Sequence, residues 1–184
     1  MASVLWDGDT IYEMVLEEHC DASPAAVYAV LADLSTHLDW GGRRQRRSFR
    51  LTSLQSSGQM RVGTEFNSVG SMPMTRVRWE DHSVVVQADP AAVVEFHTDG
   101  VAVWPTGRRT EVRWEHRYQI DPDGTGSRVA YRLRLASITN APLRMRAPVM
   151  RTLTQRVMIP YLCQRGFANL LRAAERPAPA PSDA

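Results

Sequence analysis

Trp114, His116 and Tyr118 recur at every second residue of one segment, and each is a ring with a polar tip. In an extended strand residues two apart share a face, so these three side chains point the same way. Val112 and Ile120 continue the same phase, which makes it the inward face, and there each ring needs a hydrogen-bond partner or access to a cavity. A core built for packing alone would use Val, Leu and Phe at such positions. The chemistry on offer is proton transfer, with His116 as acid or base beside Tyr118. The plain alternative is that the rings reach backbone carbonyls or buried water and only line the core. Tyr131, on the next predicted strand, is placed in the same way, as a donor to a substrate carbonyl.

Met74–Glu80 alternates so that Arg76 and Arg78 share one face and Val77 and Trp79 the other. Outward arginines would be a solvated face. An inward Arg76 could instead hold a carboxylate or an enolate. Sequence alone leaves both registers open, and with the arginines outward Trp79 joins Phe66, Val94 and Phe96 as a cavity residue. Glu95 and His97 share the face opposite Phe96, where a solvated pair is the simpler reading. Five histidines and two cysteines show no HxH, HExxH or CxxC spacing, so no metal site is expected. Nor is there a GxSxG, phosphate-loop or dinucleotide motif, and no cofactor is expected.

The 184 residues favour one domain, and 43% hydrophobic against 23% charged residues is enough for a real core. No apolar run is long enough to span a membrane, and MASVLWDGDT is not a secretory signal. Two cysteines make no disulfide framework, so a reducing, cytoplasmic setting is expected. All 22 basic residues are arginine, yet the net charge is only +2, which does not point to nucleic acid. Five of them crowd Arg43–Arg50: a solvated loop, or a docking site for an acidic carrier protein or a phosphorylated head group.

These residues need elements to position them. Ile11–Cys20 predicts a strand; Ser23-Pro24 predicts a helix start, with a second short helix ending near Trp40. Seven strands are then predicted: Phe49–Leu54, Gly63–Val69, Met74–Glu80, Val84–Ala88, Val93–His97, Glu111–Ile120 and Arg128–Leu135. The last two alternate cleanly across the turn Asp121–Gly126 and predict a hairpin. Helical spacing follows at Leu153, Val157, Tyr161 and Phe167, with Pro148 and Pro160 starting, bending or splitting the helix. The domain expected is residues 10–176, between an extension at 1–9 and a disordered tail at 177–184.

This order is α+β, and it resembles the helix-grip fold of the START/Bet v 1-like (SRPBCC) superfamily, most of all its polyketide cyclase/dehydrase branch. The resemblance is carried by Ala22–Asp33 with Trp40, by Val62–Phe66, by Val85–Pro90 leading into Val94–Phe96, by Trp114–Ile120 and by Gly166–Leu171. It implies a curved antiparallel sheet of about seven strands wrapped around a long C-terminal helix, over a deep cavity for a small hydrophobic ligand. Phe66, Arg76, Trp79, Val94, Phe96, Trp114, Val157 and Tyr161 are the lining residues expected on that basis, with His116, Tyr118 and Tyr131 as catalytic candidates. Two functions fit: cyclisation or dehydration of a polyketide-like substrate, or carriage or sensing of a lipid or other hydrophobic ligand without chemistry. The fold hosts both.

Overall fold

In a computed structural model the described residues are 3–5, 12–43, 50–71, 76–142 and 147–176. They form one antiparallel sheet in the order β1-β2-β8-β7-β6-β5-β4-β3. Its strands are β1 (Ser3–Leu5), β2 (Tyr12–Cys20), β3 (Arg50–Gln55), β4 (Glu65–Ser71), β5 (Arg78–Asp89), β6 (Val93–Val103), β7 (Arg109–Asp123) and β8 (Gly126–Thr139). The helices are α1 (Pro24–Ala32), α2 (Pro148–Leu153) and α3 (Ile159–Ala174). This is the α+β helix-grip arrangement, with a three-residue edge strand from the N-terminal extension added to the seven longer strands.

Local chemistry explains the boundaries. Ser23 caps α1 by accepting from the Ala26 amide, and Pro24 opens it. Asp33 caps the 3₁₀ turn Leu34–Thr36 through the Ser35 amide. Pro148 starts α2, and a π-helical turn at Thr154–Met158 precedes Pro160, which opens α3. The wide turn accommodates a proline ring that would otherwise clash with the preceding turn, so the long C-terminal helix is broken where the proline demands it.

Register shifts fall at Leu51/Ser53, Val85/Gln87 and Arg113/Trp114, the last leaving Ala136 of β8 unmatched. Extra residues of this kind bend and twist a strand, and here they curve the sheet. Met74–Glu80 and Val84–Ala88 were expected as separate strands joined through Asp81-His82-Ser83; β5 instead runs unbroken from Arg78 to Asp89 and pairs along its length with β6.

The convex face is a lattice of cross-strand ion pairs, among them Glu13–Arg132 at 2.8 Å and Glu115–Arg134 at 3.1 Å. Glu95 belongs to it, paired with Arg117 and 3.3 Å from His97. The concave face holds the core. There Leu16, Val129, Tyr131 and Ile120 pack with Val27 and Leu31 of α1 and Phe167, Leu170 and Leu171 of α3, all buried.

Candidate functional site

Cross-strand register groups the concave side chains into rows. One row is Val94, Tyr118, Tyr131 and Leu16; the next is Val85, Phe96, His116, Leu133 and Met14. A third is Phe66, Ser83, Thr98, Trp114, Leu135 and Tyr12, and a fourth contains Ser68, Asp81, Gly100, Val112 and Ile138. The rows nearest α1 and α3 are sealed. Toward the other end Trp79, Asp81, Trp114, His116 and Ile138 keep partial solvent access although they belong to the concave face. That end is the more open half of the concave face, although Phe66, Phe96, Ser83, Thr98 and Leu135 beside these residues are buried.

Aromatic rings run across it. Phe66 meets Phe96 edge-on at 5.5 Å between centroids, Phe96 stacks on His116 at 4.6 Å, and Tyr118 stacks on Tyr131 at 4.5 Å. Tyr131 continues to Phe167 of α3 at 6.1 Å. His116 Nδ1 lies 2.9 Å from the Tyr131 hydroxyl, so the sequence candidates His116 and Tyr131 share a hydrogen bond. Burial, helped by His97, pushes the His116 imidazole down to about 3 and keeps it neutral. Burial raises Tyr118 and Tyr131 well above the ordinary phenol range, and it takes the Cys163 thiol up to about 12. At neutral pH these groups are fixed hydrogen-bonding tips that do not gain or lose protons. The buried Tyr12 hydroxyl has no hydrogen-bond partner among the described residues.

Asp81 behaves differently. It is the inward residue between Trp79 and Ser83, and burial pushes its carboxyl up to about 7 from 3.8. A side chain on Gly100 would collide with it, since a Cβ there would stand 2.5 Å from Asp81 Oδ1. The glycine leaves the niche over β6 in which the carboxylate lies. On one side of it the Ser83 and Thr98 hydroxyls bond each other at 2.8 Å; on the other, the buried Trp79 indole nitrogen has no partner among the described residues. Sequence reading missed Asp81 and Ser83 because the triplet Asp81-His82-Ser83 has turn chemistry, and Thr98 because it follows the end of the predicted strand Val93–His97. The signal was present: carrying the Val77–Trp79 alternation two residues further puts Asp81 inward.

Of the expected lining residues, Phe66, Val94 and Phe96 are buried on the concave face, and Trp79 and Trp114 sit on its open half. Arg76 is exposed and borders an open groove of about 500 Å³ with Thr52, Val69, Gly70, Val77 and Arg78, at the edge where Gly70 pairs with Trp79. Val157 and Tyr161 also need correction: they are 55% and 47% exposed, on a helix stripe with Val149 and Leu153. The inner side of that helix is instead taken by Gln155, Pro160 and Phe167. Positions 44–49 of the arginine run, Met72–Met74 and the tail 177–184 lie outside the described residues, and the rest offer no support for an acidic carrier protein docking at the run. Among the described residues, no three His, Cys, Asp or Glu side chains converge as a metal site, and no helix is long and apolar enough to cross a membrane.

Comparison with solved structures finds the same fold at low identity. A Chromobacterium violaceum protein matches at TM-score 0.62 and 13% identity, over 90% of this chain and 98% of that one. An Arthrobacter aurescens protein solved by solution NMR matches at 0.61 and 12%, over 98% and 95%. A Thermus thermophilus protein matches at 0.58 and 18%, over 88% and 96%. A comparison with curated proteins found no significant match. The model of one protein family, described as polyketide cyclase/dehydrase and lipid transport, matches residues 13–175. With nearly the whole domain inside that match, the chain belongs to the polyketide cyclase/dehydrase and lipid transport family.

Proposed function

We propose that the protein holds a small, mostly apolar ring compound or polyketide-like chain against the open half of the concave face. One observation carries this reading: Trp79, Trp114 and His116 are concave-face residues that keep partial exposure among neighbours that are buried. Flat apolar rings would stack on the tryptophans and Phe96, and the neutral His116 would supply one hydrogen-bonding group. Membership of a family described for both cyclisation and lipid transport supports a ligand of this class. The free thiols Cys20 and Cys163 suit a reducing compartment, and we place the protein in the cytoplasm.

A non-catalytic carrier is the second reading. It is favoured by the His116 and tyrosine environments, which hold protons fixed rather than moving them. Native mass spectrometry of freshly purified protein, before and after denaturation, tests the shared claim. A discrete extra mass lost on denaturation is expected. Incubating the protein with that compound then separates the readings, since a carrier returns it unchanged. A protein that carries no ligand and takes up none from aryl ketones or fatty acids would contradict both.

A further inference from the structure

Along β5, alternate residues present a donor, an acceptor and a donor to the same face: the Trp79 indole N–H, the Asp81 carboxylate and the Ser83 hydroxyl. The described structure gives Asp81 no ion pair and no hydrogen bond, while its flanking concave neighbours Ser68, Gly100 and Val112 are uncharged. An inward carboxylate left without a cation is costly, and a packing role would be served better by an apolar residue. Glycine at position 100 leaves free the space in which a Cβ would stand 2.5 Å from Asp81 Oδ1. The Ser83–Thr98 pair consumes one of its two hydroxyl hydrogens internally and retains the other for a further acceptor.

The geometry points to Asp81 as a catalytic base for proton transfer at carbon. With a ketone on the open half of the concave face, its carboxylate removes a proton from the carbon beside the carbonyl, and the spare Ser83–Thr98 hydroxyl hydrogen bonds the enolate oxygen. One C–H bond breaks, one O–H bond forms on Asp81, and the electron pair moves onto the carbonyl oxygen. Return of a proton from Asp81 restores the ketone, so no oxidant or reductant is consumed. An enolate formed this way is also the nucleophile that an intramolecular ring closure requires. The carboxyl's shift toward neutral pH suits the task, because a base works best with a pKa near the working pH. The inference rests on the ligand seat proposed above.

The test uses 2-tetralone in D2O, with exchange of its C1 protons followed by NMR and its binding followed by tryptophan quenching. The wild-type protein is expected to accelerate exchange over buffer. Asp81→Asn is expected to lose about 100-fold of that rate while still binding the ketone. Gly100→Ala, which fills the niche but keeps the carboxyl, is expected to lose rate as well, and it carries the test if Asp81→Asn folds poorly. Wild-type protein that binds 2-tetralone without accelerating exchange overturns the assignment of Asp81, as does Asp81→Asn exchanging at the wild-type rate. Failure of the wild type to bind 2-tetralone at all overturns the ligand seat, and the base with it.

Discussion

Asp81→Asn is expected to melt well above the wild type at pH 8 and together with it below pH 4. Burial raises the Asp81 carboxyl from 3.8 to about 7, so the folded protein holds its proton more tightly than the unfolded chain. The stability linked to that proton is complete below pH 3.8 and is lost as pH rises to about 7. At about 1.4 kcal/mol per unit, the ionised carboxylate costs up to roughly 4 kcal/mol above that range, less what solvent at a partly accessible site screens. Asparagine has nearly the same shape and carries no charge at any pH. A gain of about 2–4 kcal/mol corresponds to roughly 5–10 °C for a domain of this size. Scanning calorimetry at the two pH values measures it, and equal melting temperatures at pH 8 would show that Asp81 is not held in a desolvated site. A residue that destabilises the fold at working pH is better explained by function than by packing.

The second large effect is acid lability from two histidines whose pKa values are depressed, and it interacts with the first. His37 Nε2 donates to the Leu31 carbonyl at 2.8 Å, and burial lowers its pKa to about 4. His116 is lowered to about 3. Both must stay neutral in the fold but take up protons once the chain unfolds, so their contribution is intact above pH 6.5 and is lost as pH falls toward 4 and 3. Each costs about 1.4 kcal/mol per pH unit, or roughly 5–6 kcal/mol for the two at pH 4.5, a large share of a typical domain's stability. Asp81 gains its proton over the same descent and offsets about half the slope. Urea unfolding between pH 6.5 and 4.5 should therefore be about twice as steep in pH for Asp81→Asn as for the wild type. The double variant His37→Gln/His116→Gln should reverse the sign of the dependence, gaining stability as pH falls from 6.5 to 4.5, because the raised Asp81 carboxyl then acts alone. Identical slopes in wild type and Asp81→Asn would contradict this assignment of opposing groups.

How much of this was legible in the sequence follows from which signals are local. Alternation is local, and the β7–β8 hairpin, the inward Trp114, His116 and Tyr118, and the capped helix after β2 all follow from it. Packing against distant elements is not. Val157 and Tyr161 have the spacing of a helix face, but spacing does not say which face meets the sheet; that is set by Gln155, Pro160 and Phe167 pointing inward. Arg76 falls outside β5, so its orientation was not decided by the strand's alternation. Asp81 was hidden for a third reason. Asp-His-Ser has turn chemistry, and only pairing with β4 and β6 on both sides keeps that triplet extended. The site's one titratable carboxylate is thus the residue at which local propensity and the final fold disagree, which is where functional residues are expected.

Both the ligand seat and the Asp81 base require a hydrophobic ligand to sit on the concave face. Irradiating the protein with 4-hydroxybenzophenone, a photoreactive aryl ketone, and mapping the adducts by peptide mass spectrometry places it directly. The prediction is labelling of the concave residues of β5 to β7, with Trp79, Trp114 and His116 among them, and loss of that labelling when 2-tetralone competes. Adducts confined to Thr52, Ser53 and Arg76 at the rim of the groove, or to the exposed Val157 and Tyr161 stripe, would contradict it.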